Sequence, residues 1–324
     1  MNKTVLVTGG AGYVGSHACK ALATAGFQPV SFDNLSNGHA WAVKWGPLVD
    51  GDVLNPADLD AAFTEHKPDA VMHFAALIEV GESVKRPGDF YRTNVVGTLN
   101  VLEAMRRAEV SDLVFSSTCA VHGNVGGRFI TETSPIAPIS PYAKTKAVAE
   151  GMLTDFSAAH GLNGVALRYF NASGADMKGE LGEAHDPESH LIPIACQAAL
   201  GEREGMCIYG DDYATPDGTC VRDYIHVADL ADAHVKALTH MEHHKNGVEA
   251  FCLGGGVGSS VRQVLDTVKR ISGVDFPVQM QARRPGDAPM LVADVSKART
   301  ILRWRPMHSN LDAIVETAWN WHKK

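Results

Sequence analysis

The sequence contains few cysteines and no long apolar run, and each absence excludes a class of protein. Six cysteines occur among 324 residues, and none of them forms a C-x-x-C pair. Scattered cysteines are typical of reduced thiols in a cytoplasmic protein, so we expect neither a disulfide framework nor a structural zinc site. No apolar run approaches the ~20 residues that a membrane-spanning helix needs. The apolar part of the amino terminus is too short for a signal peptide and predicts a strand instead.

Positive charge is also sparse. The formal net charge is -8, and no basic cluster is larger than a short pair such as Arg283-Arg284. Nucleic acids and anionic membranes attract basic patches, so we expect neither as a partner. Apolar residues make up 45% of the chain and charged residues 20%, which is ordinary for a globular protein of one large or two ordinary domains.

The first half of the chain alternates short β-rich runs with amphipathic stretches. Val14, Ala18, Leu22 and Ala25 would line one face of a helix that Gly26 terminates. Asn55-Pro56 reads as the cap and first turn of another helix. Strand–helix alternation predicts an α/β fold with a Rossmann-type, doubly wound parallel sheet over residues 1–171. The predicted strands are 4–9, 28–33, 47–52, 69–75, 112–117 and 164–170.

After residue 171 the pattern changes. Residues 171–190 are polar and rich in glycine, which predicts a loop. Helices are predicted around 191–200, from about 227, at 260–272 and at 293–304, with a loop at 210–219. These elements predict a smaller carboxy-terminal α/β domain, residues 172–324, that binds substrate. Some segments, for example around 221–240, are expected to return to the first domain.

A glycine-rich turn follows the first predicted strand. The segment VTGGAGYVGSH contains Gly9, Gly12 and Gly15 and opens the first predicted helix. Glycines at this spacing let backbone N–H groups approach a pyrophosphate at a helix amino terminus. Asp33 ends the second predicted strand, where its carboxylate would accept hydrogen bonds from a ribose and repel a 2′-phosphate. Because Asn34 and Leu35 follow it and no arginine does, we expect NAD as the cofactor and not NADP.

A tyrosine and a lysine lie one helical turn apart in SPYAKTK, residues 140–146. Pro141 would occupy a first helical position, and Tyr142 and Lys146 would share a helix face. A tyrosine has a pKa of about 10 and is neutral at pH 7. A cation within ~4–6 Å lowers the pKa of an acid by ~1–3 units. Lys146, together with the positive charge of NAD⁺, would therefore make Tyr142 a proton acceptor near neutral pH.

These motifs together resemble the short-chain dehydrogenase/reductase superfamily. The resemblance rests on TGGAGYVG, on FSST at the end of the preceding strand and on the Tyr-x-x-x-Lys pair. It implies that Thr118, with Tyr142, binds the reacting oxygen and that Lys146 also holds the nicotinamide ribose.

Later motifs are similar to the extended branch of this superfamily, and most of all to the UDP-glucose 4-epimerase family. They are residues 73–83, 140–146, 167–175, 218–234, 283–289 and 293–304, so the resemblance covers almost the whole chain. It implies an enzyme that interconverts UDP-glucose and UDP-galactose through a transient 4-keto sugar, with tightly bound NAD. It also implies a homodimer that pairs helices from the Tyr142 helix and from residues 94–107, although these helices could instead be buried against the chain's own sheet.

The resemblance assigns two further sets of residues, with no metal ligand among them. The cofactor set comprises Gly9, Gly12, Tyr13, Val14, Gly15, Asp33, Asn34, Asp52, Val53, Phe74, Ala75, Ala76, Asn94, Ser116, Tyr142, Lys146 and Tyr169. The set for the UDP-hexose comprises Thr118, Tyr142, Phe170, Asn171, His190, Leu191, Arg222, Tyr224, Arg284 and Asp287. Arginine forks suit a diphosphate, which supports Arg222 and Arg284.

Other activities remain open from the sequence. The substrate could be UDP-GlcNAc, UDP-glucuronate or a UDP-pentose, and Leu291 occupies a position thought to gate N-acetylated hexoses. A non-catalytic NAD-sensing protein and a reductase that releases NADH share the fold. Cys119-Ala120 after Thr118 provides no carboxylate, which disfavours a 4,6-dehydratase. Ile78 stands where some epimerases carry a lysine near the cofactor. His240 and His244 are expected at a solvated helix end and not in a metal site.

Overall fold

The computed structural model of the chain describes residues 3–126, 129–245, 247–284 and 287–324. A parallel sheet of seven strands forms its centre, and it confirms the predicted Rossmann-type fold class. The strand order is β10-β6-β5-β4-β1-β2-β3. These strands are β1 (Thr4–Thr8), β2 (Gln28–Asp33), β3 (Leu48–Asp50), β4 (Ala70–His73), β5 (Asp112–Thr118), β6 (Asn163–Tyr169) and β10 (Val248–Leu253). The sequence predicts the first six and misses β10.

Eight helical segments accompany this sheet. They are α1 (Tyr13–Thr24), α2 (Pro56–His66), α3 (Val80–Lys85), α4 (Pro87–Phe90), a π-helical turn (Tyr91–Val96), α5 (Gly97–Arg107), α6 (Pro141–His160) and α8 (Val227–His243). Short 3₁₀ turns occupy Ala40–Ala42 and Cys119–His122. Among the helices in the described ranges, none is both long and apolar enough to cross a bilayer.

Local sequence signals set several helix ends. The Asn55 side chain accepts a hydrogen bond from the Ala57 N–H and caps α2, as predicted. Ser140 caps α6 in the same way, and Pro141 occupies its first turn. Helix α1 ends at Thr24, so Ala25 is exposed and does not extend the buried stripe as expected.

Alternating side chains bury both faces of the sheet. Val5 and Val7 of β1 pack into a core with α1 and α8, whereas Leu6 joins the core on the opposite face with α2 and α5. All three side chains are fully buried. Burial on both faces explains why the strands read as continuous apolar runs and not as alternating ones.

The carboxy-terminal part contains smaller sheets and a helical layer. Its strands are β7 (Asn171–Ser173), β8 (Met206–Tyr209), β9 (Val221–His226), β11 (Gly258–Ser260), β12 (Val278–Gln281) and β13 (Met290–Leu291). Its helices are α7 (Leu191–Ala199), α9 (Val261–Ser272), α10 (Ser296–Ile301) and α11 (Leu311–His322). The predicted loop at 171–190 therefore begins with a three-residue strand.

The helix predicted at 293–304 is shorter than expected. Ala293 forms a β-bridge with Ile130, so α10 cannot begin before it. Arg303 adopts a left-handed backbone at φ 50, which ends the helix. The Trp304 ring then turns into the core, where its Nε1–H donates to the Asp229 carbonyl at 2.9 Å.

The chain returns to the first sheet after β9. Helix α8 packs against α1, and β10 pairs with β6 in parallel. The expected return around 221–240 stays a prediction. The division into domains 1–171 and 172–324 stays a prediction.

Candidate active site

A cavity of about 510 Å³ opens at the carboxyl ends of the central strands. This is the edge at which open parallel sheets bind ligands. Fifteen of the predicted cofactor residues line the cavity, namely Gly9, Gly12, Tyr13, Val14, Gly15, Asp33, Asn34, Asp52, Val53, Phe74, Ala75, Ala76, Ser116, Tyr142 and Tyr169. Their roles in binding stay predictions, but one cavity brings them together.

The glycine-rich turn leaves space where side chains would block the cavity. Gly9 has a φ of +74, and its amide donates to the Phe32 carbonyl at 2.8 Å. A Cβ on Gly15 would lie 2.1 Å from the Gly9 carbonyl oxygen, so only glycine permits this close approach of α1 to the turn. Gly12, Tyr13 and Val14 at the amino terminus of α1 line the cavity, and the free N–H groups of a helix amino terminus suit a diphosphate.

Asp33 is held in place at the end of β2. Its Oδ2 accepts from the Ala11 N–H at 3.0 Å and its Oδ1 from the Leu35 N–H at 2.9 Å. Burial raises the pKa of Asp33, which these two hydrogen bonds oppose. An oriented, buried carboxylate at this position suits the hydroxyl groups of a ribose.

Two predicted cofactor residues support the cavity from behind its lining. Asn94 in the π-helical turn exchanges hydrogen bonds with the backbone of Leu77, at 2.8 and 3.0 Å. Its amide also donates to Thr145 Oγ1 at 3.1 Å. Asn94 thereby fixes the loop after β4, which lines the cavity. Lys146 is buried, and its ammonium donates to the Ser116 carbonyl at 2.8 Å.

The end of β5 and the first turn of α6 form the reactive corner. Tyr142 and Thr118 both line the cavity. Ser116 lies two residues before Thr118 and therefore on the same face of β5. Its Oγ lies 2.5 Å from the Tyr169 hydroxyl. The Thr118 hydroxyl accepts from the Ala120 N–H at 3.2 Å, which orients it. Burial raises the pKa of the Cys119 thiol to about 12, so that thiol stays protonated.

In the chain by itself, burial dominates the ionisation of Tyr142, and the expectation that Lys146 and NAD⁺ together acidify the phenol stays a prediction. Burial raises the pKa of Tyr142, and neighbouring Tyr169 raises it further, while the Thr118 hydroxyl opposes the shift. Burial also lowers the pKa of Lys146 to about 7, against the opposing charge of Glu150. The Tyr142 phenol is therefore neutral near pH 7, whereas Lys146 is present in both its charged and its neutral form. Acidification of the phenol needs an additional positive charge in the cavity.

The other end of the cavity gathers groups suited to a diphosphate. Phe170, Asn171, His190 and Arg222 line it. The Asn171 amide donates to the Asp223 carbonyl at 2.7 Å.

Arg222 is fixed by the chain around it. Its Nη1 donates to the Ala288 carbonyl at 2.8 Å, and its Nη2 lies 3.6 Å from Asp287 Oδ1. Arg284 pairs with the same carboxylate at 3.0 Å and lies over the Tyr209 ring, but its side chain is 61% exposed. Pro285 and Gly286 of the 283–289 motif lie outside the described residues.

Four predicted substrate residues are not among those that line the cavity, namely Leu191, Tyr224, Arg284 and Asp287. Tyr224 packs in an apolar cluster with Ile192, Cys196 and Val264. Leu191 begins α7 and packs against the same cluster. These two side chains belong to the packing around α7 and not to the cavity lining.

Sequence reasoning missed several lining residues. Ser36, Asn37 and Gly38 follow Asp33 in a loop that only the fold brings to the cavity. Glu183 and His185 also line it, near His190. The spacing E-x-H-x-x-E-x-H over 183–190 is the signal in the sequence for this group, of which the sequence analysis assigns only His190 to the site.

The histidines near the carboxyl end of α8 form a separate pair. His240 lies 2.6 Å from Glu249, and the rings of His240 and His244 stack at 4.3 Å. Within the described ranges, the group of ligand atoms close enough to hold a metal ion is instead Glu183, His185, Glu188 and His190.

Comparisons with known proteins agree with this geometry. Residues 5–252 match the NAD dependent epimerase/dehydratase family. The chain is 51% identical to the UDP-glucose 4-epimerase of Rhizobium leguminosarum bv. trifolii, over 99% of this chain and 98% of that protein. It is similar to the NAD complex of UDP-glucose 4-epimerase from Brucella ovis, with a TM-score of 0.96, 50% identity and coverage of 99% and 98%. The complex of the Bifidobacterium longum enzyme with NAD⁺ and UDP has a TM-score of 0.94, 38% identity and the same coverage.

Proposed function

The chain belongs to the NAD dependent epimerase/dehydratase family, and we propose from this premise that it interconverts UDP-glucose and UDP-galactose at C4. The observation that carries the proposal is the shared cavity: the glycine-rich turn, Asp33, Thr118 and Tyr142 all line it. A dinucleotide and a sugar nucleotide would therefore meet at the reactive corner. The enzyme is an isomerase, and its cofactor is NAD.

The residues present fit NAD. Gly9 and Gly15 leave room for a backbone approach to its diphosphate, and Asp33 offers a fixed carboxylate to its ribose. NAD, when bound, supplies the hydride acceptor and donor that the reaction at C4 requires. Because each turnover restores the cofactor, it need not leave the site and should purify with the protein.

Tyr142 and Thr118 would handle the proton of the sugar's 4-hydroxyl. Thr118 positions the oxygen by hydrogen bonding, and Tyr142 accepts its proton and later returns it. Burial keeps the Tyr142 phenol neutral in the chain alone. Proton transfer therefore depends on the positive charge that the oxidised cofactor and a protonated Lys146 add nearby.

The two ends of the substrate need different treatment. The 4-keto sugar must rotate so that its opposite face is reduced, while the diphosphate stays bound in place. Asn171 and Arg222 would hold the diphosphate, with His190 beside them. Arg222 is held by the Ala288 carbonyl and by Asp287, so its fork is oriented before substrate arrives.

A homodimer is part of the proposal. Apolar side chains are exposed on α3, the π-helical turn, α5 and α6, namely Val80, Val84, Val96, Leu99 and Val148. Exposed apolar groups concentrated on neighbouring helices support a subunit contact. Sedimentation should give twice the chain mass, and Val148→Glu should yield monomers. Ile136→Glu, a substitution at a 50% exposed loop residue, is the matched control and should leave the dimer intact. A monomeric parent chain would contradict the proposal.

We also propose a cytoplasmic location. All six cysteines lie in the described part of the chain, and all are free thiols. Unpaired buried cysteines are typical of proteins in a reducing compartment.

The activity is tested by incubating purified protein with UDP-galactose, without added NAD, and measuring UDP-glucose. We expect conversion to the equilibrium mixture without steady accumulation of NADH. UDP-GlcNAc, UDP-glucuronate and a UDP-pentose run in parallel would reveal a different sugar preference, since Leu291 lines the cavity. Absence of UDP-galactose conversion even with NAD supplied would reject the proposal. Accumulating NADH would indicate a reductase instead.

A further inference from the structure

Four metal-ligating side chains converge from one short segment beside the cavity. Glu183, His185, Glu188 and His190 follow the spacing E-x-H-x-x-E-x-H just before α7. One atom of each lies within 4.8 Å of the corresponding atoms of the others. His190 Nδ1 is 2.8 Å from Glu183 Oε1 and 3.1 Å from Glu188 Oε1. His185 Nδ1 is 3.2 Å from Glu183 Oε1 and 3.8 Å from Glu188 Oε2.

Hydrogen bonding leaves part of this arrangement unexplained. His185 Nδ1 and Glu188 Oε2 are buried, and neither makes a hydrogen bond to any residue that the structure describes. The Glu188 side chain is 2% exposed. An unpartnered carboxylate oxygen at that depth carries a desolvation cost. The other carboxylate oxygen, Glu188 Oε1, accepts from the Ser189 and His190 N–H groups at 2.8 and 2.9 Å, which holds the carboxylate in place and leaves Oε2 for a further partner.

We propose that Glu183, His185, Glu188 and His190 together bind one divalent transition-metal ion of the zinc type. Zinc lies about 2.0–2.2 Å from nitrogen and carboxylate ligands in a tetrahedral site, so its ligand atoms lie roughly 3.3 Å apart. The four separations above bracket that spacing. Two carboxylates neutralise the charge of a divalent ion. Two imidazoles favour zinc over magnesium and calcium, which take oxygen ligands.

The ion would fasten a segment that has little regular structure of its own. Residues 174–190 form no helix or strand, although all of them are described. The Glu183 carbonyl accepts from Trp321 Nε1 at 3.0 Å, and the Ala184 carbonyl lies 2.7 Å from His39 Nε2. A bound metal ion would add a third anchor to these two contacts. It would hold the segment next to the cavity, because Glu183, His185 and His190 line the cavity. The proposal departs from the sequence-based expectation of no metal, and it goes beyond the epimerase activity.

The alternative is a buried ion-pair network of two imidazolium groups and two carboxylates without metal. The two alternatives differ in metal content. The NAD-loaded, untagged protein is therefore stripped with a chelator, given excess Zn²⁺ and freed of unbound ion by gel filtration. Mass spectrometry of the metal then gives zinc per chain, and competition with a chromogenic chelator gives the affinity.

We expect one zinc per chain and a higher melting temperature with zinc than without it. Glu188→Gln and His185→Gln should each lower zinc affinity by more than the roughly 10–100-fold that loss of an outer-shell partner causes. His244→Gln, at the exposed end of α8, is the matched control and should keep the full zinc content. Circular dichroism establishes that each variant is folded.

Three results would overturn the proposal. They are trace zinc in the parent protein, equal zinc affinity in the parent and both site variants, and equal retention of Mg²⁺ in place of Zn²⁺. Because zinc is counted directly, failure of the epimerase proposal would leave this test unaffected.

Discussion

Replacement of Tyr142 by phenylalanine removes one oxygen from the reactive corner and leaves the ring. Tyr142 lies in the first turn of α6, and its side chain lines the cavity together with Thr118. Burial keeps its phenol protonated until another positive charge enters. The hydroxyl therefore matters to the reaction and not to the packing of the chain.

The size of the expected loss follows from the chemistry of that oxygen. A positioned proton acceptor contributes about 10²–10⁴-fold to a rate. Each tenfold corresponds to about 1.4 kcal/mol, so the activation free energy should rise by about 3–5 kcal/mol. Thr118 remains in place, but its hydroxyl cannot replace the phenol as a proton acceptor. We expect kcat to fall by two to four orders of magnitude, while the free energy of unfolding changes by less than about 1 kcal/mol.

The assay measures UDP-glucose formed from UDP-galactose, together with NAD content per chain. Tyr142→Phe should keep its NAD. Tyr213→Phe is the matched control, because its hydroxyl is buried and has no partner among the described residues. That control should retain the parent rate. A Tyr142→Phe rate within tenfold of the parent would show that the proton acceptor is another group.

Three further substitutions test other parts of the site and core. Gly15→Ala should abolish NAD retention, since its Cβ would lie 2.1 Å from the Gly9 carbonyl oxygen. Gly151→Ala is the control and should keep the cofactor, because the space around Gly151 is open. NAD bound to both variants would refute the role of the glycine-rich turn in binding NAD. Arg222→Ala should raise KM for UDP-galactose by roughly 10–150-fold, as loss of a charged hydrogen bond worth about 1.5–3 kcal/mol implies, with NAD content unchanged, and an unaltered KM would remove Arg222 from the diphosphate site. Burial lowers the pKa of His234 to about 4. A histidine in the unfolded chain has a pKa of about 6.5, so the unfolded chain binds more protons than the folded one between pH 6.5 and 4. As the pH is lowered through this range, the free energy of unfolding should therefore decrease by up to roughly 3 kcal/mol because of this residue. In denaturant titrations at a series of pH values, the free energy of unfolding of His234→Leu should decrease less steeply with falling pH than that of the parent. The same pH dependence in both proteins would contradict the lowered pKa of His234.

The sequence predicts the first sheet well because its signals are local. Most of the first six strands are apolar runs, and the Asn55 cap and Pro141 mark the helices that follow β3 and β5. Strand β10 is a short run far along the chain, and only its long-range pairing with β6 identifies it. The helix predicted at 293–304 is shorter in the structure for a related reason: tertiary contacts of Ala293 and Trp304 override the helical pattern at its two ends.

The candidate site divides in the same way. Gly9, Gly15 and Asp33 can be found from spacing, because a turn and one strand bring them together. Tyr224 lies elsewhere because its strand packs against α7 and α9, which the sequence does not reveal.

Asp223 illustrates what sequence reasoning leaves out. It is fully buried and accepts backbone N–H groups of Gly255, Gly256 and Ala293, at 2.7 to 3.1 Å. Burial raises its pKa to about 6, against these hydrogen bonds. It fixes the strand that carries Arg222, yet only the folded chain brings its partners together.

The central claim is that the hydrogen removed from C4 returns to C4 within the same cavity. The most direct test uses UDP-galactose deuterated at C4, incubated in ordinary water with the protein as purified. The UDP-glucose formed should retain the deuterium at C4, since oxidation and reduction occur without exchange with solvent. UDP-glucose that carries solvent hydrogen at C4 would contradict this account.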